Sequence, residues 1–387
     1  MTRAIVNADV LIIGGGLHGG SVALHLAHAG LKPLVIEKNY AGRHASGVNA
    51  GGVRTLSRPP QEIPLALASL EMWHHIGDLV DDDCGFEQYG QLRVAENETD
   101  IEVLHRRLAL MRELGYSHEE WVDAGEVRAM LPGIVPTVQG GLIARRDAAA
   151  DPYRTTMAFR RKAESLGARY IEGVQIVRTE HVAGCWRAIA NSGAVYSAPV
   201  IVNCAGAWAD RIAATWDEPV PLEAVAPMML VTMPMRRFID PVVLGTSRPL
   251  SFKQRANGTV LIGGGRRAWL DRDADSTELD FSELADGARM VCELFPHMLG
   301  ATINRGWAGI EGNMPDGLPV IGASRRRPHA YHAFGFCTHG FELGPIVGRV
   351  LADLVIRGHT TQPIAPFDIG RFSNPQAVTS TSGIKHP

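Results

Sequence analysis

The first strongly apolar segment of the chain, residues 9–13, is hydrophobic at every position after Asp9 and stops at Gly14-Gly15-Gly16. A strand of a parallel sheet covered on both faces reads this way, because neither face meets water. Residues 17–29 follow with helix formers and small residues and close at Gly30, a helix C-cap. Leu34-Val35-Ile36 is a second buried strand, ending at Glu37-Lys38. Strand, glycine turn, helix and strand within about 30 residues predict one βαβ unit.

Residues 41–60 are rich in Gly, Ser, Asn and Arg and have little periodicity. A stretch of this length without periodicity inside a compact domain is usually functional. Helical spacing returns at 65–76 and 101–114, where Ile101, Leu104, Leu108 and Met111 share one face opposite Glu102, Arg106 and Arg112. The pattern then predicts a helix over 153–167, a strand over 169–177, a hairpin turning at Asn191-Ser192-Gly193 and a buried strand over 200–203. Short strand-like pieces at 227–232, 242–244, 251–254 and 259–263 change the character of the chain. They predict an antiparallel sheet inserted between two halves of an α/β domain. Residues 317–321 and a helix over 344–356 restore the α/β pattern, and the tail from Gly370 has little apolar content.

Composition narrows the function. Lys and Arg number 38 against 41 Asp and Glu, a formal charge of -3, so no basic surface for nucleic acid is expected. The five cysteines are far apart with no C-x-x-C pair, which speaks against metal clusters and disulfide scaffolds and for a reducing compartment. No apolar run reaches the roughly 18–20 residues of a transmembrane segment, and the N-terminus has no small-residue cleavage site. The expectation is a soluble, cytoplasmic protein.

Gly14-x-Gly16-x-x-Gly19 lies between the first strand and its helix, and Glu37 ends the next strand. The glycines permit a tight turn, close approach of a pyrophosphate and close helix–strand packing. The helix N-terminus favours phosphate, and Glu37 can accept hydrogen bonds from a ribose diol. This predicts dinucleotide binding but does not separate FAD from NAD.

Three further segments separate them through resemblance. Residues 45–52 (Ala-Ser-Gly-Val-Asn-Ala-Gly-Gly) resemble the flavin-contacting loop of the D-amino-acid oxidase superfamily of FAD-dependent amine and amino-acid oxidoreductases. Residues 203–208 (Asn-Cys-Ala-Gly-Ala-Trp) resemble its AGAW element, and 314–322 (Met-Pro-Asp-Gly-Leu-Pro-Val-Ile-Gly) its PDG signature. His339-Gly340-Phe341 with Gly344-Pro345 resembles its final loop and helix, whose N-terminus faces the flavin. The resemblance covers roughly residues 8–360. It implies an α/β fold: a Rossmann-like FAD-binding domain (GR2-type) with an inserted antiparallel-sheet substrate domain. The expected division is 1–85, 145–215 and 305–370 for the FAD-binding domain, 86–144 and 216–304 for the substrate domain, and a tail over 371–387.

The cofactor-contacting positions it implies are Gly14, Gly16, Leu17, His18, Gly19, Glu37, Lys38, His44, Ala45, Ser46, Asn49, Ala50, Gly51, Gly52, Val174, Ala205, Gly206, Trp208, Gly340, Phe341 and Glu342. Some members attach flavin through a Cys before the PDG signature or a His in the N-terminal loop. Gly312-Asn313 and Asn49 stand there, so non-covalent FAD is expected. Carboxylate-binding basic residues of other members are replaced by Glu311 and Glu342, and a lysine near the flavin by Leu261. The acids hint at a second cationic group on the substrate. Arg54 remains to anchor a substrate carboxylate, with Arg58 as helper; His44 and His339 take positioning roles. Trp269, Trp307 and Phe252 are candidate pocket walls.

The implied activity is oxidation of the C–N bond of an amino acid or secondary amine, glycine-, sarcosine- or opine-like, to an imine by hydride transfer to flavin N5, then hydrolysis. Leu261, together with an acid at Glu342, points to a dehydrogenase-like catalytic subunit that reacts poorly with oxygen and works beside electron-relay subunits. The alternatives are a non-catalytic FAD-binding subunit of a larger complex and an FAD-dependent hydroxylase-type flavoprotein.

Overall fold

The computed structural model describes residues 6–373. The expected tail therefore lies outside the described residues from 374 onward. Val10–Ile13, buried at all four positions, is central to a six-stranded sheet. It pairs in parallel with Pro33–Ile36 on one side and Val200–Asn203 on the other. Arg169–Ile171 extends the sheet beyond Pro33–Ile36, and Ala330–Phe334 beyond Val200–Asn203; the antiparallel Val320–Ala323 closes that edge. The helix Leu17–His28 packs on this sheet between Pro152–Ser165 and Gly340–Arg357. Leu17, Val22 and Leu26 meet Phe159, Ile346 and Val350 in one apolar core.

Three elements differ from the sequence pattern. The strand expected over 169–177 is two strands in two sheets. Gly173, with φ +71, turns the chain between Arg169–Ile171 and Ile176–Val182, and the turn is tied back by Gly173 N–H to Asn39 O and Val174 N–H to Glu37 O. Ile176–Val182 belongs to a separate four-stranded sheet with Cys185–Ala190, Val195–Ala198 and Val6–Asn7, a layer the pattern did not distinguish. The final helix starts at Gly340, four residues before the expected position, and carries Pro345 inside it. A proline there removes a helical N–H. The turn is braced from outside, because Glu342 O accepts from Ser69 Oγ (2.6 Å) and Trp73 Nε1 (2.8 Å) of the helix Ile63–His74.

The inserted sheet is present and has eight strands, drawn from residues 91–144 and 228–308. Its strand Ile303–Ala308 runs across the boundary expected after residue 304. All neighbours are antiparallel except Gln91–Ala95 with Val242–Leu244. Alternation assigns its two faces. Leu92 and Val94 enter a core with Phe252, Ile262, Val291 and Phe295. On the other face Gln91 donates to Val53 O (3.1 Å) and Ala148 O (3.0 Å), and Ala95 packs with Leu56. That face therefore lies over the loop that follows Gly52. No helix among the described residues is long and apolar enough to cross a membrane.

Candidate cofactor cleft and active site

The glycine turn is built by close approach. Gly14 has φ +106, and a Cβ there would lie 2.2 Å from Cys204 O; a Cβ on Gly19 would lie 2.0 Å from Gly14 O. No other residue type fits either position without moving backbone. The helix that follows has no acid in its first turn; its Leu17 N–H donates to Ser46 Oγ at 2.9 Å. Ser46 sits on Ala45–Val48, a short helix within the aperiodic loop. Asn49 ties that loop by donating to Ala45 O (2.8 Å) and accepting from Gly51 N–H (2.7 Å). Glu37 accepts from Gly15 N–H (2.7 Å) and Asn39 N–H (2.9 Å), and burial raises its carboxyl above the ordinary range.

These elements open one cleft. Gly14, Gly16, Leu17 and His18 line it from the turn, Glu37 and Lys38 from the second strand, and His44, Ala45, Ser46 and Asn49 from the loop. Val174, Ala205, Gly206, Trp208, Gly340 and Phe341 complete the expected positions found there. Gly19, Ala50, Gly51, Gly52 and Glu342 do not line it. Gly19 packs on Gly14, and Gly52 pairs with Ala149 behind the loop. His18 stacks on Phe336 at 3.7 Å, and burial pushes it down to about 3, so it is neutral.

The sequence reading missed several lining residues, among them Tyr40, Arg43, Glu311 and Cys337. Glu311, read from the sequence only as a hint of a cationic substrate group and not as a lining residue, is pushed up to about 7 by burial. It also missed Asp275, in the hairpin loop between Trp269–Asp271 and Ser276–Glu278. Asp275 reaches Lys38 Nζ (2.7 Å), His44 Nε2 (2.7 Å) and the Asn39 amide. Trp208 Nε1 donates to Arg272 O of the same loop at 3.0 Å, and Lys38 Nζ lies 3.0 Å over the Trp208 ring. Two of the proposed pocket walls are elsewhere: Trp269 is 71% exposed, and Phe252 points into the far core of the inserted sheet. Trp307 donates to Val48 O at 2.8 Å, beside the loop.

The basic residues past the loop divide into two kinds. Arg58 is 1% exposed; its Nε donates to Arg54 O (2.7 Å) and its Nη2 to His339 O (3.3 Å), with Glu62 at 3.6 Å and Glu342 at 3.5 Å. Its charge is met inside the protein, so the expected helper role toward substrate gives way to a structural one. Glu342 is fully buried against Arg58, and burial raises its carboxyl well above the ordinary range. It does not line the cleft, and its carboxyl faces Arg58 rather than the flavin edge or a substrate cation. His339 Nδ1 lies 2.9 Å from Glu62, and burial pushes the ring down to about 4. Arg54 differs. Its Nη1 donates to Leu56 O at 2.9 Å, and among the described residues no carboxylate comes within ion-pair distance. Burial and the neighbouring Arg58 and Arg93 cations push it down to about 9, so it stays charged at neutral pH.

Lys253 escaped the sequence reading altogether. It lies directly opposite Leu261 in the inserted sheet, is 5% exposed, and donates to Gly51 O of the loop at 3.2 Å. Burial pushes its amine down to about 7.

The donor set fits a flavin dinucleotide: a glycine turn at an acid-free helix N-terminus, a half-buried acid, Glu37, at the end of the next strand, and a second helix N-terminus, Gly340–Arg357, lining the same cleft beside His18. The family model "FAD dependent oxidoreductase" matches residues 9–354. Glycine oxidase of Geobacillus kaustophilus is 26% identical over 94% of this chain and 97% of its own length. An opine oxidase subunit of Rhizobium meliloti is 24% identical over 95% of this chain and 99% of its own length. Among solved structures, glycine oxidase from G. kaustophilus superimposes with a TM-score of 0.87 at 23% identity over 95% of this chain and 99% of that one. L-proline dehydrogenase from P. horikoshii does so with a TM-score of 0.88 at 24% identity, over 96% and 99%. The family match with this cleft leads to one identification: the chain belongs to the FAD-dependent oxidoreductase family of the D-amino-acid oxidase type and is an enzyme whose cofactor is FAD.

Proposed function

We propose that this enzyme oxidises the C–N bond of an amino acid or secondary amine to an imine, which water then hydrolyses. The observation that carries the reading is Arg54: a charged guanidinium without a carboxylate partner, two residues beyond Gly52 of the loop. A guanidinium fork matches a substrate carboxylate bidentately. FAD, when bound, supplies the two-electron acceptor, held non-covalently because Asn49 and Gly312 offer no attachment chemistry. Arg54 fixes the carboxylate and so orients the amine. Glu311, near half-protonated at neutral pH, can hold or release a proton at the cleft wall, and His339 stays neutral beside Glu62. The inserted sheet forms the substrate side, over the loop. Relatives named as subunits add to the proposal a partner chain that relays electrons.

The test is anaerobic bleaching of the flavin by a panel of amines and amino acids. Truncating one partner of a buried charge pair costs about 2–5 kcal/mol, so Arg54→Leu should lower kcat/KM for carboxylate substrates at least about tenfold with FAD content unchanged. Loss of flavin from the variant would make Arg54 a cofactor or structural residue instead.

A further inference from the structure

We propose that Arg93 joins Arg54 in a two-guanidinium site that binds a second carboxylate of the substrate, so that the preferred substrates are amines carrying two carboxylate groups. The inference rests on the amine-oxidation reading and names its substrate class.

Arg93 lies on the strand Gln91–Ala95, between Gln91, which donates to Val53 O, and Ala95, which packs on Leu56. Alternation places all three on the face over the loop that carries Arg54. Its partners in the ladder are Leu142 and Leu244, both buried. The guanidinium thus rises from an apolar floor. Among the described residues it makes no hydrogen bond and no ion pair, and its Nε is buried without a partner.

The surrounding acids are already engaged. Glu119 accepts from Arg107 Nε (2.9 Å) and Nη2 (2.8 Å) and from Ser57 N–H (2.6 Å). Asp147 accepts from Thr55 N–H (2.9 Å), Thr55 Oγ1 (2.6 Å) and Leu56 N–H (3.0 Å). Glu62 and Glu342 face Arg58. That leaves Arg54 and Arg93, from two different elements and close enough for Arg93 to disfavour the charge on Arg54, with no carboxylate in ion-pair contact; Asp147 and Glu62 act on Arg54, and Glu119 on Arg93, only from a distance. Like charges in a partly desolvated site are unfavourable unless an anion joins them, and each fork can take one carboxylate bidentately. Burial, with the Arg107 cation and against the pull of Glu119, also lowers the Arg93 guanidinium from its ordinary range.

The experiment uses the FAD-loaded enzyme, iminodiacetate as a two-carboxylate amine and sarcosine as a one-carboxylate amine, in anaerobic flavin bleaching and in thermal unfolding. Wild type should show kcat/KM at least tenfold higher for iminodiacetate. Arg93→Gln should erase that advantage, leave sarcosine within threefold, and abolish the rise in Tm that iminodiacetate gives wild type. Arg93→Gln without ligand should unfold no earlier than wild type, because the side chain has no partner to lose. Equal losses for both substrates would mean one shared carboxylate and overturn the proposal, as would no effect on either. The two readings separate cleanly. Stabilisation by iminodiacetate that needs Arg93, without bleaching by any amine, would keep the two-arginine site and reject amine oxidation. Bleaching by sarcosine while iminodiacetate neither reacts nor stabilises would do the reverse.

Discussion

The cofactor half and the substrate half of this molecule are specified in different ways. In the six-stranded sheet the decisive contacts lie close in sequence or follow from one glycine turn: Gly14 against Gly19, Leu17 against Ser46, Glu37 against Gly15. In the eight-stranded sheet and the separate hairpin over residues 269–278 they are made across the molecule. Lys253 meets Gly51, 202 residues away, and Asp275 meets Lys38, 237 residues away. A cleft made by backbone can be specified by a short motif. A site made by side chains from facing strands depends on register, and register is a property of the whole sheet.

The sharpest break in the cofactor half is therefore a single methyl group. Gly14→Ala must accommodate both a φ of +106 and a Cβ 2.2 Å from Cys204 O. Left-handed strain costs on the order of 1–3 kcal/mol and overpacking a further 1–3 kcal/mol or so. The variant should lose roughly that sum in denaturant unfolding and purify without flavin. A yellow variant of ordinary stability would show that the turn tolerates more than its geometry suggests.

On the substrate side the largest effect should come from Arg58. Removing it leaves Glu62 and Glu342 buried without their cation, and uncompensated buried charges cost about 3–5 kcal/mol. Burial already disfavours the charged form of Glu342, which makes its share of that cost the smaller one. Arg58→Leu should thus be strongly destabilised, whereas Arg54→Leu should unfold close to wild type and fail only toward substrate. If the two variants behaved alike, the division of the arginines into structural and substrate-facing would be lost.

The same division explains how much the sequence disclosed. The βαβ unit, its helix and the glycine turn with Glu37 were legible because period and glycine spacing are local signals; the loop and final-helix positions of the cleft came only through the family resemblance. Arg93 was not, because an arginine in a strand declares neither its face nor its lack of a partner. Phe252 and Lys253 make the point at single-residue scale. An aromatic residue looked like the pocket wall, yet alternation buries Phe252 in the far core and turns Lys253 toward the loop. Arg54 and Arg58, four residues apart and similar in sequence, differ only in which acids the fold brings to them.

If Lys253 faces the flavin across the loop, it also changes the chemistry expected with oxygen. Leu261 removes a cation from one strand, but Lys253 stands directly opposite it. Burial holds its amine near 7, so the ammonium is present below that pH and largely gone above it. A nearby cation favours electron transfer to oxygen by stabilising the superoxide that forms. Reoxidation of the substrate-reduced enzyme should therefore be slow at pH 8 and accelerate, by up to about tenfold as the protonated fraction grows, on going to pH 6. Lys253→Met should flatten that dependence in stopped-flow mixing with aerated buffer. A profile that survives the substitution would assign the pH effect to another group.

The smallest effect should come from the contact that joins the two halves. The loop 272–275, at the tip of a separate two-stranded hairpin in the inserted region, lies over Lys38, His44 and Trp208, three residues of the cofactor cleft, and Asp275 is its main anchor. Burial pushes His44 down to about 4, so at neutral pH its close contact with Asp275 is not an ion pair; Lys38 makes the charged one. The pair is only partly covered, with side chains 21% and 23% exposed, and exposed ion pairs of this kind contribute about 0.2–1 kcal/mol. Asp275→Asn keeps hydrogen-bonding capacity and loses the charge. If the loop retains the cofactor, FAD release followed by flavin fluorescence after dilution should quicken about two- to fivefold, since 1.36 kcal/mol is a factor of ten. Asp286→Asn, which removes an acid that pairs with Arg266 and Arg289 outside the cleft, should leave the release rate unchanged. Equal rates for wild type and both variants would mean that the halves touch here without cooperating, and that the motif-built cleft holds its dinucleotide unaided.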